Sequence, residues 1–262
     1  MTYGKPPYVS AETAEDFLQS LQPETVDLIL IDPPYYGIVD DSWDNQWSSV
    51  EDYVAWLSST CLRALPLLKS NGSLIFFGGI GKHGCHPFWS VCERLERGDN
   101  MGHYTFRNMI TWKKRRAYGK SHDYLFCREE IAWYSKSPDR TSVTFNIPLT
   151  SEKRGYAGWN KKYAAKSEFK RVSNVWDDVP ELMRPERNCQ KPLPLMRRLV
   201  ETHSNPNDLI VDMFVGYGTT GIAALGLGRK FVGCEAIAAD AIAADDRCIK
   251  AAQEWEALDG DH

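Results

Sequence analysis

The stretch Asp27-Leu28-Ile29-Leu30-Ile31-Asp32-Pro33-Pro34-Tyr35 decides the fold, because it runs a short apolar segment straight into a rigid stop. A continuous apolar run of this length reads as a strand buried on both faces, the signature of a parallel sheet covered by helices on either side. The two prolines end it, since each fixes φ and removes a backbone donor. Similar apolar runs recur at residues 73–77, 209–214 and 231–234, and helical patterns lie at 14–21, 50–68, 193–203, 221–227 and 236–255. Strands alternating with helices predict an α/β fold built on a doubly wound sheet. Residues 107–134 read instead as antiparallel β structure, with candidate strands at 109–112 and 131–134. Residues 137–190 are poor in long apolar runs and rich in Pro, Asn, Lys and Ser, which predicts a loop-rich insertion.

The 262 residues suffice for one large domain with a closed core. With 43% hydrophobic and 25% charged residues, the composition is that of an ordinary globular protein. No apolar run approaches the ~20 residues of a membrane span, and the first residues lack a signal peptide's apolar core, so a cytoplasmic protein without membrane contact is expected. Seven cysteines with no C-x-x-C pair suit a reducing compartment. His83-Gly84-Cys85-His86 invites a metal reading, but three ligands so close together cannot easily wrap one tetrahedral ion. No metal is expected, and the segment reads as a glycine-rich loop entering a helix.

The formal charge of −4 excludes a wholly basic nucleic-acid coat. It also conceals an asymmetry: residues 105–171 carry 16 Lys and Arg against 6 Asp and Glu, while the rest of the chain carries 15 against 29. The basic island includes Lys113, Lys114, Arg115, Arg116, Lys120, Lys161 and Lys162, interleaved with aromatics such as Trp112, Tyr118, Tyr124, Tyr156 and Trp159. Phosphate contact with base stacking requires that mixture, so these seven cations are the candidate nucleic-acid-binding residues; a solvated charged surface is the plainer alternative.

Ligands of open α/β sheets collect beyond the carboxyl ends of the strands. Two of the four runs end in unusual chemistry. At Asp32-Pro33-Pro34-Tyr35 the prolines strip the turn of N–H groups, leaving a carboxylate and carbonyls beside an aromatic ring. An acceptor-only pocket with a stacking ring suits a planar substrate that bears an amino group, such as a nucleobase. At Asp212-Met213-Phe214-Val215-Gly216-Tyr217-Gly218-Thr219-Thr220-Gly221 the chain contains G-x-G-x-x-G, followed by an acid, Glu235, at the end of the next strand. Glycines admit a cofactor close to the backbone, and the acid can accept from ribose hydroxyls. NAD and S-adenosylmethionine share an adenosine, so the motif alone leaves a dehydrogenase and a methyltransferase both open.

Taken together, these blocks resemble the beta class of DNA amino-methyltransferases, which modify adenine N6 or cytosine N4 and place the Asp-Pro-Pro-Tyr motif before the glycine motif. The resemblance rests on residues 27–35, Trp43-Asp44, residues 53–57, Ile110-Thr111-Trp112-Lys113, Gln190-Lys191-Pro192 and residues 212–221, in the family's order. Two departures stand out: Glu12-Thr13 occupies the register where relatives often carry Gly-Asp, and Cys189 stands where many have Thr. The resemblance implies a circularly permuted Rossmann-like sheet for S-adenosylmethionine-dependent methyl transfer, in which residues 8–10 supply the strand next to the one ending at Glu235. It divides the chain into a catalytic half (1–136), a target-recognition insertion (137–190) and a cofactor-binding half (191–262).

The same resemblance implies adenine-N6 methylation of double-stranded DNA. Asp32, Pro33, Pro34 and Tyr35 are then catalytic, with Asp32 and the Pro33 carbonyl accepting the amine hydrogens and Tyr35 stacking on a flipped base. Asp212, Phe214, Gly216, Gly218, Thr219, Thr220 and Glu235 hold S-adenosyl-L-methionine, and Lys191 is assigned to its methionine carboxylate. Asp at the first motif position favours adenine over cytosine, where relatives more often carry Ser. A homodimer and a companion restriction endonuclease are partners the family allows. The rival readings are a cytosine-N4 enzyme, an NAD-dependent oxidoreductase and an idle DNA-binding module.

Overall fold

A computed structural model of the chain describes residues 5–38, 45–79, 85–119, 121–122, 124–153, 167–186 and 189–259. Its elements run β1 (Val9–Ser10), α1 (Ala14–Ser20), β2 (Val26–Ile31), α2 (Val50–Ala64), a 3-10 turn (Leu65–Leu67), β3 (Leu68–Gly78), α3 (Pro87–Arg97), β4 (Thr105–Tyr118) and β5 (Phe126–Ser135). There follow β6 (Leu149–Lys153), β7 (Phe169–Arg171), β8 (Val175–Trp176), α4 (Leu193–His203), β9 (Leu209–Asp212), α5 (Thr219–Leu225), β10 (Lys230–Cys234) and α6 (Ala238–Asp259).

One sheet of eight strands carries the fold, in the order β1-β10-β9-β2-β3-β5-β4-β8. The first five are mutually parallel, and β5 runs antiparallel to both β3 and β4. β2 is buried at every position because alternate side chains enter two different cores. Ile29 and Ile31 join the layer of α1, α2 and α3, whereas Leu28 and Leu30 join that of α4, α5 and α6. Asp27, buried at the opposite end of β2, ties three strands: it pairs with Lys69 at 2.8 Å and accepts the Leu209 amide at 2.9 Å.

The permuted order is present. β1 lies parallel to β10, with Gly233 N–H donating to the Tyr8 carbonyl and Glu235 N–H to that of Ser10. The chain leaves β9 through α5 toward one edge and leaves β2 through α2 toward the other, so the crevice between these neighbours is the sheet's switch point, where such folds place ligands. Both unusual strand ends open onto it.

Element limits differ from the sequence pattern where a single residue overrides it. The helix expected to reach residue 68 stops at Ala64, because Pro66 lacks the next amide donor. The run expected through residue 214 ends at Asp212, whose carboxylate accepts the Phe214 amide at 2.8 Å and turns the chain. β4 and β5 extend beyond the expected 109–112 and 131–134: their pairing runs from Thr105 opposite Ser135 to Lys113 opposite Arg128, breaks register within the basic run and resumes at Tyr118 opposite Phe126. The described residues of 137–190 hold three short strands: among them β6 pairs with β7, while β8 lies along β4. The region's two ends are knit to the main core. Phe145 stacks on Trp133 at 4.9 Å, and Trp112 Nε1 donates to the Val179 carbonyl at 2.7 Å. Among the described residues no helix is long and apolar enough to cross a membrane, and no group of three His, Cys, Asp or Glu side chains could hold a metal ion. His83 and Gly84 lie outside them.

Candidate active site

Asp32 stands immediately beyond β2, and its two oxygens accept from Lys191 Nζ at 2.7 Å each. The Tyr35 hydroxyl adds a third hydrogen bond at 3.3 Å. Tyr53 of α2 fixes the double-proline turn by donating to the Pro34 carbonyl at 2.9 Å. The Tyr35 ring lies against Gly79, where an added Cβ would come within 3.0 Å of it. Tyr35, Tyr36, Tyr53, Phe77 and Phe88 together line a narrow aromatic crevice beside the carboxylate.

Lys191 arrives just before α4 and is buried. Its ammonium lies 5.4 Å from the Tyr35 ring centroid, 5.2 Å from that of Phe77 and 3.5 Å from Glu129 Oε2. Glu129, on β5, is paired through its other oxygen with Lys114 of β4. Burial pushes the Asp32 carboxyl above the usual carboxylate range; Lys191 opposes this and Glu129 reinforces it. Burial would also raise Glu129, but Lys191 and Lys114 outweigh it and hold that carboxyl below its ordinary value. Burial would weaken the Lys191 ammonium, yet Asp32 and Glu129 more than compensate, so it stays charged.

The second strand end is built differently. Gly216 and Gly218 have φ of +52° and +87°, the left-handed region that glycine adopts without strain. Gly218 caps α5 there, and the Gly216 amide donates to Glu235 Oε2 at 3.0 Å. The Ile237 amide takes the other Glu235 oxygen at 3.1 Å. Gly221 serves packing instead, since a Cβ there would meet Cys248 Sγ at 2.4 Å. Asp212 is buried, and burial pushes its carboxyl up to about 7 against hydrogen bonds from Thr220 and the Phe214 amide. The Phe214 ring meets Trp56 at 5.7 Å, and Trp56 Nε1 donates to Glu15 of α1 at 2.6 Å, so the N-terminal helix closes onto this loop. Glu12, Glu15, Asp212 and Glu235 all act on the buried Cys234 thiol, which places four carboxylates around one strand end.

These observations locate the expected residues. Asp32, Pro33, Pro34 and Tyr35 cluster beyond β2, and Asp212, Phe214, Gly216, Gly218, Thr219, Thr220 and Glu235 cluster across the neighbouring strands β9 and β10. Lys191, expected at a cofactor carboxylate, has its ammonium on Asp32. Of the basic residues, Lys113, Arg115 and Arg116 are exposed on β4, while Lys114 turns inward to Glu129. Glu181 shapes that exposed end, accepting the Arg115 and Arg116 amides at 2.8 and 2.7 Å. Lys120, Lys161 and Lys162, and with them Trp43, Asp44, Tyr156 and Trp159, lie outside the described residues. Sequence reasoning missed Glu129 and Glu15, and it gave no role to Tyr53 and Trp56, which lie in the 53–57 block of the resemblance. For Glu129 a signal exists: counting back by twos from buried Ile131 on β5 puts it on the same inward face.

A permuted, parallel-centred sheet with an acidic acceptor turn and a glycine loop on either side of its switch point defines a Rossmann-like methyltransferase architecture. The comparisons with known proteins narrow this. The N6/N4 family model, described as DNA methylase, matches residues 26–240. Type II methyltransferase M1.MboII of Moraxella bovis is 29% identical over 242 residues, covering 84% of this chain and 88% of that protein. Type II methyltransferase M2.DpnII of Streptococcus pneumoniae is 28% identical over 244 residues, covering 84% and 81%. Among solved structures, the M1.HpyAVI complex with S-adenosylmethionine superposes with a TM-score of 0.61 at 22% identity, over 92% of this chain and 97% of that one. The cytosine-N4-specific PvuII DNA methyltransferase gives 0.68 at 16% identity, over 97% and 96%. The chain belongs to the N6/N4 DNA methylase family. That membership answers what the glycines leave open: the motif serves a methylase and not a dehydrogenase.

Proposed function

We propose that the protein methylates the N6 amine of adenine within a specific sequence of double-stranded DNA. The observation that carries this reading is the acceptor-only turn at the switch point: a carboxylate and two proline carbonyls, braced by Tyr53 and flanked by Tyr35. The cofactor, S-adenosyl-L-methionine, supplies an electrophilic methyl group on a sulfonium centre. The chain's residues fit it. Gly216 and Gly218 open the backbone, and Glu235 faces the loop. Four carboxylates, with no lysine or arginine among the described residues paired to Asp212 or Glu235, suit a cationic ligand. Phe214, Thr219 and Thr220 complete the lining, with Asp212 beneath.

An exocyclic amine is a poor nucleophile because its lone pair is delocalised into the ring. Asp32 and the Pro33 carbonyl accept its two hydrogens, which localises that lone pair on nitrogen. No covalent enzyme intermediate is needed, so alignment and fixed dipoles supply the rate. Tyr35 stacks on the extruded base, offsetting part of the few kcal/mol that unstacking costs. Lys113, Arg115 and Arg116, toward the carboxyl end of β4 and so at the same end of the sheet as Asp32, contact phosphates, and residues 137–190 read the target sequence. Because the relatives are Type II methyltransferases, a companion restriction endonuclease is the proposed setting.

The test is incubation of duplex DNA with methyl-labelled cofactor, followed by digestion to nucleosides. Label in N6-methyladenine is expected. Label in N4-methylcytosine replaces adenine with cytosine as the target, and no label in either nucleoside overturns the reading.

A further inference from the structure

A base amine that donates to Asp32 competes for the lone pairs that Lys191 already holds. Its ammonium takes both carboxylate oxygens at 2.7 Å, so the catalytic acceptor is masked by a residue 159 positions away in the chain. A second acceptor lies within reach. Glu129 Oε2 is 3.5 Å from the same ammonium, is buried and has no hydrogen-bond partner among the described residues, an arrangement that ordinarily costs stability. Lys114 anchors the other Glu129 oxygen, so the carboxylate cannot swing away to find one. The Tyr35 and Phe77 rings flank the ammonium and stabilise a cation between the two carboxylates. Two lysines and two carboxylates leave the cluster neutral wherever the Lys191 ammonium sits between Asp32 and Glu129.

We propose that Lys191 is a positioning residue with two seats: it aims Asp32, and it passes to Glu129 Oε2 as the amine of the target base takes its place on Asp32. The inference rests on the proposed role of Asp32 as the amine acceptor. Glu129 is thereby a positioning residue too, one that touches neither base nor cofactor. The charged and titratable groups facing Asp32 are Lys191, Glu129, Tyr35 and Asp212, with Lys114 behind Glu129 and Cys189 beside Lys191. Lys191 lowers the Asp32 carboxyl and Glu129 raises it, so removing them moves its titration in opposite directions.

The experiment pairs two readouts on the full chain. The first is the pH dependence of single-turnover methyl transfer to duplex DNA. The second is a carbon-13 carboxyl NMR titration of Asp32 without DNA, assigned with Asp32→Asn. For Lys191→Met, the acid limb of the rate and the NMR titration both move to higher pH, and Lys191→Arg restores part of the shift. For Glu129→Gln, both move to lower pH, yet the plateau rate falls at least ten-fold with KM for DNA within about two-fold. A carboxylate more fully ionised but slower is the signature of a lysine with no second seat. A shifted titration with an unchanged plateau overturns the exchange, and no shift in either variant overturns the pairing itself. If Lys191→Met does not fold, Glu129→Gln, which changes no volume, carries the test. Wild-type protein that transfers no methyl group while the NMR shifts appear overturns the proposed function and leaves the pairing standing.

Discussion

Adjacent strands β2 and β9 each deliver an aspartate to the same crevice, and the two are compensated in opposite ways. Asp32 is held by a lysine side chain, whereas Asp212 and its neighbour Glu235 are held by backbone amides of Phe214, Gly216 and Ile237. Main-chain donors are rigid and carry no net charge, so the β9 side is fixed and no cation neutralises it. A lysine brings a full charge on a long stem, so the β2 side is neutral and its acceptor can change partners. The first arrangement suits permanent recognition of hydroxyls and a cationic cofactor. The second suits an acceptor used briefly, at the moment of reaction.

The sharpest way to break this comparison is Asp32→Ala. Methyl transfer is expected to fall by roughly 10³-fold or more, on the scale of losing a positioned acid–base group. Binding of S-adenosylhomocysteine, measured by calorimetry, stays within about three-fold because the β9 side is untouched. Loss of both together would mean that the two strand ends form one site and not two. Next in size is Glu235→Gln, which is expected to weaken S-adenosylhomocysteine by ~10- to 100-fold, the range for a hydrogen bond to a charged group. Single-turnover rates at saturating cofactor should change little, and a rate that collapses at saturation would move Glu235 into the chemistry.

A smaller effect separates the cations within the basic strand. Arg115→Ala and Arg116→Ala should each weaken DNA binding and flatten the dependence of log affinity on log salt by about 0.9 for each phosphate no longer neutralised. Lys114→Ala should leave that slope unchanged, because its ammonium serves Glu129. A salt slope equal in all three variants would return Lys114 to the DNA surface.

That division of the basic run shows what was legible in the sequence. The fold was, because an apolar run ended by Pro33 and Pro34 and a second ended by a glycine loop mark two strand ends in the order of a permuted sheet. The residues in these two motifs also lie just beyond the strand ends, where the pattern puts them, since turn chemistry is local. The partners of those residues were not legible. Lys191 looks like a lysine at a helix start, and only the packing of α4 brings it to Asp32. Lys114 sits in a run of four cations, and only the pleat, which puts it on the face of Ile110 and Trp112, turns it inward. Composition located the charge, but pairing depends on which strand lies next door.

The smallest expected effect concerns Asp212 and stability. Its carboxyl is raised to about 7 by burial, far above its value in an unfolded chain. Between roughly pH 4 and pH 7 the folded state therefore binds a proton that the unfolded state has released. Stability from this group is fully present below pH 4 and is lost as pH rises through 7, at up to about 1.4 kcal/mol per pH unit. Asn keeps the oxygen that accepts the Phe214 amide and removes the charge. Asp212→Asn should thus melt above the wild type by a smaller margin at pH 5 than at pH 8, by differential scanning calorimetry. Saturating S-adenosylhomocysteine, whose amino group is cationic, should narrow the gap at pH 8 by rewarding the ionised carboxylate. A gap that is the same at both pH values would mean that Asp212 is ionised throughout, and the contrast between the two strand ends would then lie in geometry alone.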